Sequence, residues 1–211
     1  MPSISLRRAA AFCKAYELRL PILLAPMAGA CPVSLSIAVA NGGGMGACGC
    51  LLMQPEDITN WAQQMRSGSN GAFQLNVWIP DPDPTRDPDH EAHLREFLGQ
   101  WGPEVLPEDA EAPLVDFEAQ CDAMLAAGPH VISSIMGVYP AAFVERMKQH
   151  GVKWFATVTS VTEAMAAEAA GADVIVAQGM EAGGHRGAFS AEDASRSMVG
   201  LFPCSLRLSM P

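Results

Sequence analysis

Short apolar runs alternate with alanine-rich stretches along most of this chain, and glycine or proline falls between them. Residues 22–25 form an apolar run closed by Pro26. Residues 33–40 are small and apolar and suit a packed helix, and residues 45–50 read as a short buried strand. A helix is expected from Pro55 to about Arg66, with the proline in its first turn, where a missing N–H costs nothing. Residues 72–77 and 131–134 read as strands, with Pro140 starting the helix after the second. Residues 153–158 are the next strand. Ser160 and Glu163 then have the spacing of a capping box, in which each side chain satisfies a free N–H of the other's residue. That helix runs to Ala170 and is ended by Gly171. Residues 174–177 are a strand with no polar residue before Gln178. Strands that are apolar on both faces and alternate with helices predict an α/β fold with a parallel sheet covered by helices. Six strand–helix units are counted. Length alone leaves open whether the sheet is flat or closed into a barrel.

Residues 79–113 break the pattern. Asp81-Pro82-Asp83-Pro84 and Asp87-Pro88-Asp89 exclude a regular strand or helix interior, so a surface excursion is expected, helical in part from His90 to Gly99. His90 and His93 share one helix face in solvated, acidic surroundings with no third ligand nearby, so no metal site is expected. The chain has 211 residues, of which 49% are hydrophobic and 17% charged, enough for one domain with a core. Its net charge of -10 argues against nucleic acid and anionic membrane as partners. Cys13, Cys31, Cys48, Cys50, Cys121 and Cys204 lack zinc-site spacing and read as small, mostly buried residues. The apolar segment 20–30 is interrupted by Pro21 and Pro26 and is too short for a membrane span. A reduced, cytoplasmic protein is expected.

Three segments carry candidate chemistry, and one is set aside. Gly44, Gly46 and Gly49 match a dinucleotide fingerprint in spacing but follow a helix and lead into a strand, the reverse of the order that fold requires. Ala25-Pro26-Met27-Ala28-Gly29 follows the first strand, where α/β folds place ligands, although an ordinary turn accounts for it equally well. Alternation puts Gln74, Asn76 and Trp78 on one side of their strand. Two amides on that side suit a polar ring edge, and loop hydrogen bonding accounts for them as well. The strongest segment, residues 178–187, reads Gln-Gly-Met-Glu-Ala-Gly-Gly-His-Arg-Gly. Gly179, Gly183, Gly184 and Gly187 let main-chain N–H groups approach an anion, and His185 stands among them. An imidazole in such a loop is placed for proton transfer or for holding an anion.

Together with residues 21–29, 74–78, 151–160 and 171–187, this segment resembles the nitronate monooxygenase family, formerly called 2-nitropropane dioxygenases. The resemblance covers about residues 21–202 and implies a TIM-type (β/α)8 barrel with non-covalent FMN at the carboxyl ends of the strands. It implies that Ala25, Pro26, Met27, Asn76, Gln178, Gly183 and Gly184 hold FMN and that His185 faces the substrate. The implied reaction takes an alkyl nitronate and oxygen to a carbonyl compound and nitrite. An FMN-dependent enoyl-acyl carrier protein reductase is the alternative, since its barrel carries a similar Gly-Gly-His loop; Arg186 favours the monooxygenase. An inactive truncated remnant is the other.

The chain departs from the family twice. Ile135 and Met136 stand where aromatic residues or a histidine are frequent. After Phe202 the family continues with a helix resembling Ala-Leu-Leu-Pro-Ala-Val-Val-Asp-Ala and then two strands whose loops hold the FMN phosphate, whereas here Pro-Cys-Ser-Leu-Arg-Leu-Ser-Met-Pro follows. Codons for that tail, CCT TGC TCC CTG CGG TTG TCG ATG CCG, re-read with a single G in front, give the family's helix. Residues 1–202 are therefore expected to be a partial barrel domain, with about six of eight βα units, and residues 203–211 a frameshifted tail. Weak FMN retention is expected. Sequencing the gene across codon 203 tests the frame hypothesis: an intact frame should continue one base away, and its absence sinks the idea.

Overall fold

The structure, a computed structural model, describes residues 3–82, 85–111, 115–194 and 199–201. In chain order, helix α1 (Ile4–Ala15) and helix α2 (Val33–Asn41) precede strand β1 (Gly46–Gly49). Helix α3 (Pro55–Gly68), strand β2 (Phe73–Trp78), helix α4 (Pro88–Gly99) and helix α5 (Phe117–Ala126) follow. Then come strand β3 (Val131–Ile135), helix α6 (Ala141–Gln149), strand β4 (Lys153–Val158), helix α7 (Val161–Ala169), strand β5 (Val174–Ala177) and the short helix α8 (Ala191–Ala194). The capping box of α7 forms as its spacing predicts, and Gln54 with Asp57 forms a second one on α3. Gly171 ends α7's turn at φ +98°, a left-handed conformation that glycine adopts without a Cβ clash.

Strand order decides between a flat and a closed sheet. All pairs are parallel and the order is β1-β2-β3-β4-β5, so each crossover advances by one strand in the same direction. Crossovers of one hand that always advance the same way place every covering helix on the same face. The sheet is therefore wound singly, as in an incomplete TIM-type barrel. Leu75, Val77, Ile132, Trp154, Ala156 and Val158 point outward and pack against Ile58, Met65, Met124 and Met147 of the helices. The other face has its own apolar floor near the amino ends of the strands, made by Met45, Ala72, Val131 and Phe155 with Leu18. Helix α1 closes this floor: Phe12 and Tyr16 lie 6.3 and 5.1 Å from the Phe155 ring.

Several expectations shift. The run at residues 22–25 is reduced to one bridge, Leu23 to Met45, flanked by the hydrogen bonds Leu24 N–H to Met45 O and Met45 N–H to Ile22 O. Pro21 and Pro26 have no N–H, so the ladder cannot extend past four residues. Among the described residues there are thus five strands and a bridge where six strands were counted. Helices α1 and α5 were not anticipated. Helix α4 starts at Pro88, capped by Asp87, and carries His90 and His93 on exposed positions. Among the described residues no third metal-holding side chain joins them. Four of the five described cysteines are buried, and burial pushes the Cys121 thiol up to about 12, so it stays protonated. The tail at residues 203–211, and residues 83–84 and 112–113 of the excursion, lie outside the described residues.

If α1 and the inner floor form one packed unit, Phe155→Ala removes its centre. Unfolding free energy should fall by about 3–5 kcal/mol in urea denaturation; a loss below about 1 kcal/mol would show that the floor can collapse around the gap.

Candidate active site

The inner face changes character along the strands. Its amino end is the apolar floor, and toward the carboxyl end the inward positions become Gln74 and Asn76 on β2 and Ser133 on β3, all buried. Buried polar groups require partners. Asn76 Nδ2 donates to Ser133 Oγ at 3.0 Å, across the β2–β3 register that pairs these two residues. Gln74 Nε2 donates to the Leu24 carbonyl at 3.0 Å, which ties the Ala25–Pro26–Met27 loop to β2. That loop also lies on β1: a Cβ added to Gly49 would come within 2.8 Å of the Ala28 nitrogen. Met27 remains 39% exposed, so its thioether is available at the rim.

The glycine-rich loop continues directly from β5. Gln178 N–H donates to the Val158 carbonyl at 2.8 Å and extends the ladder by one residue. The Gln178 side chain then closes the loop on itself: Nε2 donates to the His185 carbonyl at 3.0 Å, and Oε1 accepts from Gly187 N–H at 2.7 Å. The resemblance assigned Gln178 to the cofactor; its amide also shapes the loop. Glu181 binds Leu201 N–H through both oxygens, at 2.9 and 3.1 Å. Its own backbone N–H first, and then that of Leu201, hold this exposed carboxyl below the usual carboxylate range.

The four glycines divide into two kinds. A Cβ on Gly187 would lie 2.6 Å from Ile135 Cγ1, and one on Gly179 would collide with Glu181 and the Leu201 backbone. These two permit close packing. A Cβ on Gly183 or Gly184 would meet nothing within 4 Å, and Gly184 has φ +81°. These two present bare backbone to open space, as a loop that receives a ligand must. Next to them His185 is exposed, with its ring set edge-on to Trp78 at 4.7 Å between centroids and 62° between planes. The structure thus joins the end of β2, the loop after β5 and Ile135 of β3 at one mouth.

Glu163 was read from the sequence only as a capping residue. Its carboxylate is buried, and besides the N–H groups of Thr159 and Ser160 it reaches Phe189 N–H at 2.9 Å. Trp78 was placed on the correct face of its strand, but nothing in the sequence linked it to His185.

Comparison with known proteins adds an independent line. The family model described as nitronate monooxygenase matches residues 11–205. A probable nitronate monooxygenase of Staphylococcus aureus (strain JH9) is 31% identical over 183 residues, covering 85% of this chain and 51% of the relative. A nitronate monooxygenase of Paraburkholderia phytofirmans is 32% identical over 187 residues, covering 86% and 51%. The chain spans about half the length of the curated relatives it matches. Among solved structures, a nitroalkane oxidase from Streptomyces ansochromogenes superposes with a TM-score of 0.78 at 28% identity, covering 94% of this chain and 57% of that one. FabK from Thermotoga maritima gives 0.67 at 23% identity, covering 94% and 50%, a likeness of fold.

The division among the glycines can be measured. Gly187→Ala forces a methyl against Ile135 and should cost about 1–3 kcal/mol of stability. Gly183→Ala faces open space and should cost less than about 1 kcal/mol. Adding Ile135→Ala should lessen the further cost of Gly187→Ala, a coupling that a double-mutant cycle in urea reads directly. Additive losses would show that the contact with Ile135 is not the cause.

Proposed function

Because the chain belongs to the nitronate monooxygenase family, we propose that it serves the FMN-dependent oxidation of alkyl nitronates by oxygen to a carbonyl compound and nitrite, with His185 as the catalytic residue. One observation carries this reading: an exposed imidazole beside two glycines whose backbone faces open space, at the carboxyl ends of a singly wound parallel sheet. The family's members are flavoproteins in general, and this mouth fits a flavin. Bare backbone at Gly183 and Gly184 permits close approach of a flat ring, and the apolar rim at Met27 and the buried amide of Asn76 supply soft and polar contacts. Ala25, Pro26, Met27, Asn76, Gln178, Gly183 and Gly184 would hold FMN, and the Gln178 amide also keeps the loop in shape for it. When bound, FMN would supply electron acceptance and the reaction with oxygen.

The protein's own part is positioning and proton handling. A nitronate is an anion, and a protonated ring nitrogen of His185 can donate a hydrogen bond to one of its oxygens. With a neutral nitroalkane, an unprotonated ring nitrogen can take the α-proton. The Trp78 edge contact adds a modest bias on the orientation of the imidazole. A cytoplasmic setting belongs to the same reading and is supported by the five described cysteines being free thiols.

The test measures FMN binding by quenching of flavin fluorescence and nitrite release from an alkyl nitronate in air. His185→Ala should lower kcat/KM by about 10²–10⁴-fold and leave FMN affinity within roughly threefold. Gly183→Val should weaken FMN binding by roughly tenfold or more at little cost to the fold. Anaerobic reduction of the bound flavin by a nicotinamide cofactor, without nitrite release in air, would instead identify an enoyl reductase-type activity.

A further inference from the structure

We propose that Glu163 is a positioning residue for His185, acting through the backbone of the segment that follows it. The part of the proposal that concerns turnover rests on the function proposed above.

A capping box asks one thing of its acidic member: a bond back to the N-cap N–H. Here that bond, from Ser160 N–H, is the longest that the Glu163 carboxylate makes, at 3.2 Å. The same oxygen, Oε2, accepts from Thr159 N–H at 2.6 Å and from Thr159 Oγ1 at 2.8 Å, which fixes it to the carboxyl end of β4. The other oxygen, Oε1, leaves the helix and accepts from Phe189 N–H at 2.9 Å, 26 residues along the chain. The group is only 8% exposed, so water does not replace these partners readily. Phe189 lies four residues after His185 and two after Gly187. The Gln178 amide holds the His185 carbonyl and the Gly187 N–H. Three alternate residues, 185, 187 and 189, are therefore pinned through their backbone by two side chains, one on each flank.

The chemistry of the hold calls for a carboxylate. Four donors converge on two oxygens, three on Oε2 and one on Oε1. A carboxamide of the same shape has one oxygen and one NH₂. Either orientation sets an NH₂ against an N–H donor, and a buried donor left unpaired is costly. Glu163→Gln must therefore release either Thr159 and Ser160 or the arm at Phe189. His185 is exposed, so its ring is placed by that backbone and by Trp78, not by a surrounding core.

The test compares Glu163→Gln with Ser160→Ala, which removes only the other half of the box, the bond from Glu163 N–H to Ser160 Oγ. The ring of Trp78, 4.7 Å away, shifts the carbon-bound ring protons of His185 in the NMR spectrum. These signals are assigned by their loss in His185→Gln. Trypsin cleavage after Arg186 reports opening of the same arm. Glu163→Gln should move the His185 signals toward free-histidine positions and speed that cleavage roughly tenfold. Ser160→Ala should do neither, even where it lowers Tm as much. If Glu163→Gln does not fold, Phe189→Pro removes the single N–H donor and is read the same way. Unchanged signals and cleavage in the folded variant would overturn the proposal, and so would equal changes in Ser160→Ala. In turnover, Glu163→Gln should lower kcat more than it raises KM. A wild-type chain that binds flavin without releasing nitrite would sink the proposed function and leave the hold on His185 to be judged by NMR.

Discussion

In a parallel sheet every connection must travel back over a face of the sheet, and the handedness of that return decides which face. With strands laid down in sequential order, the helices that pack on the sheet between strands fall on the outside, and the inside must be filled by the strands' own inward side chains. That constraint produces two cores. The outer one is large and shared with helices. The inner one is small, stands at the amino ends of the strands, and is completed by α1. Because Phe155 and its neighbours fill that floor, the carboxyl end is the part of the interior left for polar residues.

The site follows from this division. Gln74, Asn76 and Ser133 can be buried there because each finds a partner in the next strand or in the loop above. Those bonds also bring the strand ends into fixed relation, and a loop emerging from β5 therefore meets a prepared rim. Ile135 supports Gly187 from below, and Trp78 meets His185 from the side. The floor carries this part of the fold without drawing on any residue of the mouth.

Much of this was legible before any coordinates. The strands β1 to β5 were readable because each is a short, mostly apolar run set between turn residues, and the capped helices because proline, serine and glycine mark their ends. The loop at residues 178–187 was readable as an irregular segment after β5 because four glycines in ten residues sustain neither a strand nor a helix. Other features left no local mark. Helix α1 buries only part of one face, with Ile4 and Leu6 exposed at its start, so its apolar stripe is weak. The first strand reads as apolar, yet its flanking prolines reduce it to a bridge. The hydrogen bond from Phe189 N–H to Glu163 and the ring contact between Trp78 and His185 join residues that no spacing rule relates. They exist only because sequential winding places the ends of β2, β4 and β5 at one rim.

That last dependence bears on how an exposed histidine on a glycine loop can keep one orientation. An imidazole on a glycine loop has two rotatable side-chain bonds and a backbone with wide freedom. The edge contact with Trp78 contributes on the order of 1 kcal/mol, too little to hold both. Hydrogen bonds to the peptide groups at 185, 187 and 189 act on the backbone instead, and the ring inherits their order. The loop can then keep Gly183 and Gly184 bare, because the rigidity it lacks there is supplied one to six residues later, by side chains anchored in β4, α7 and the end of β5.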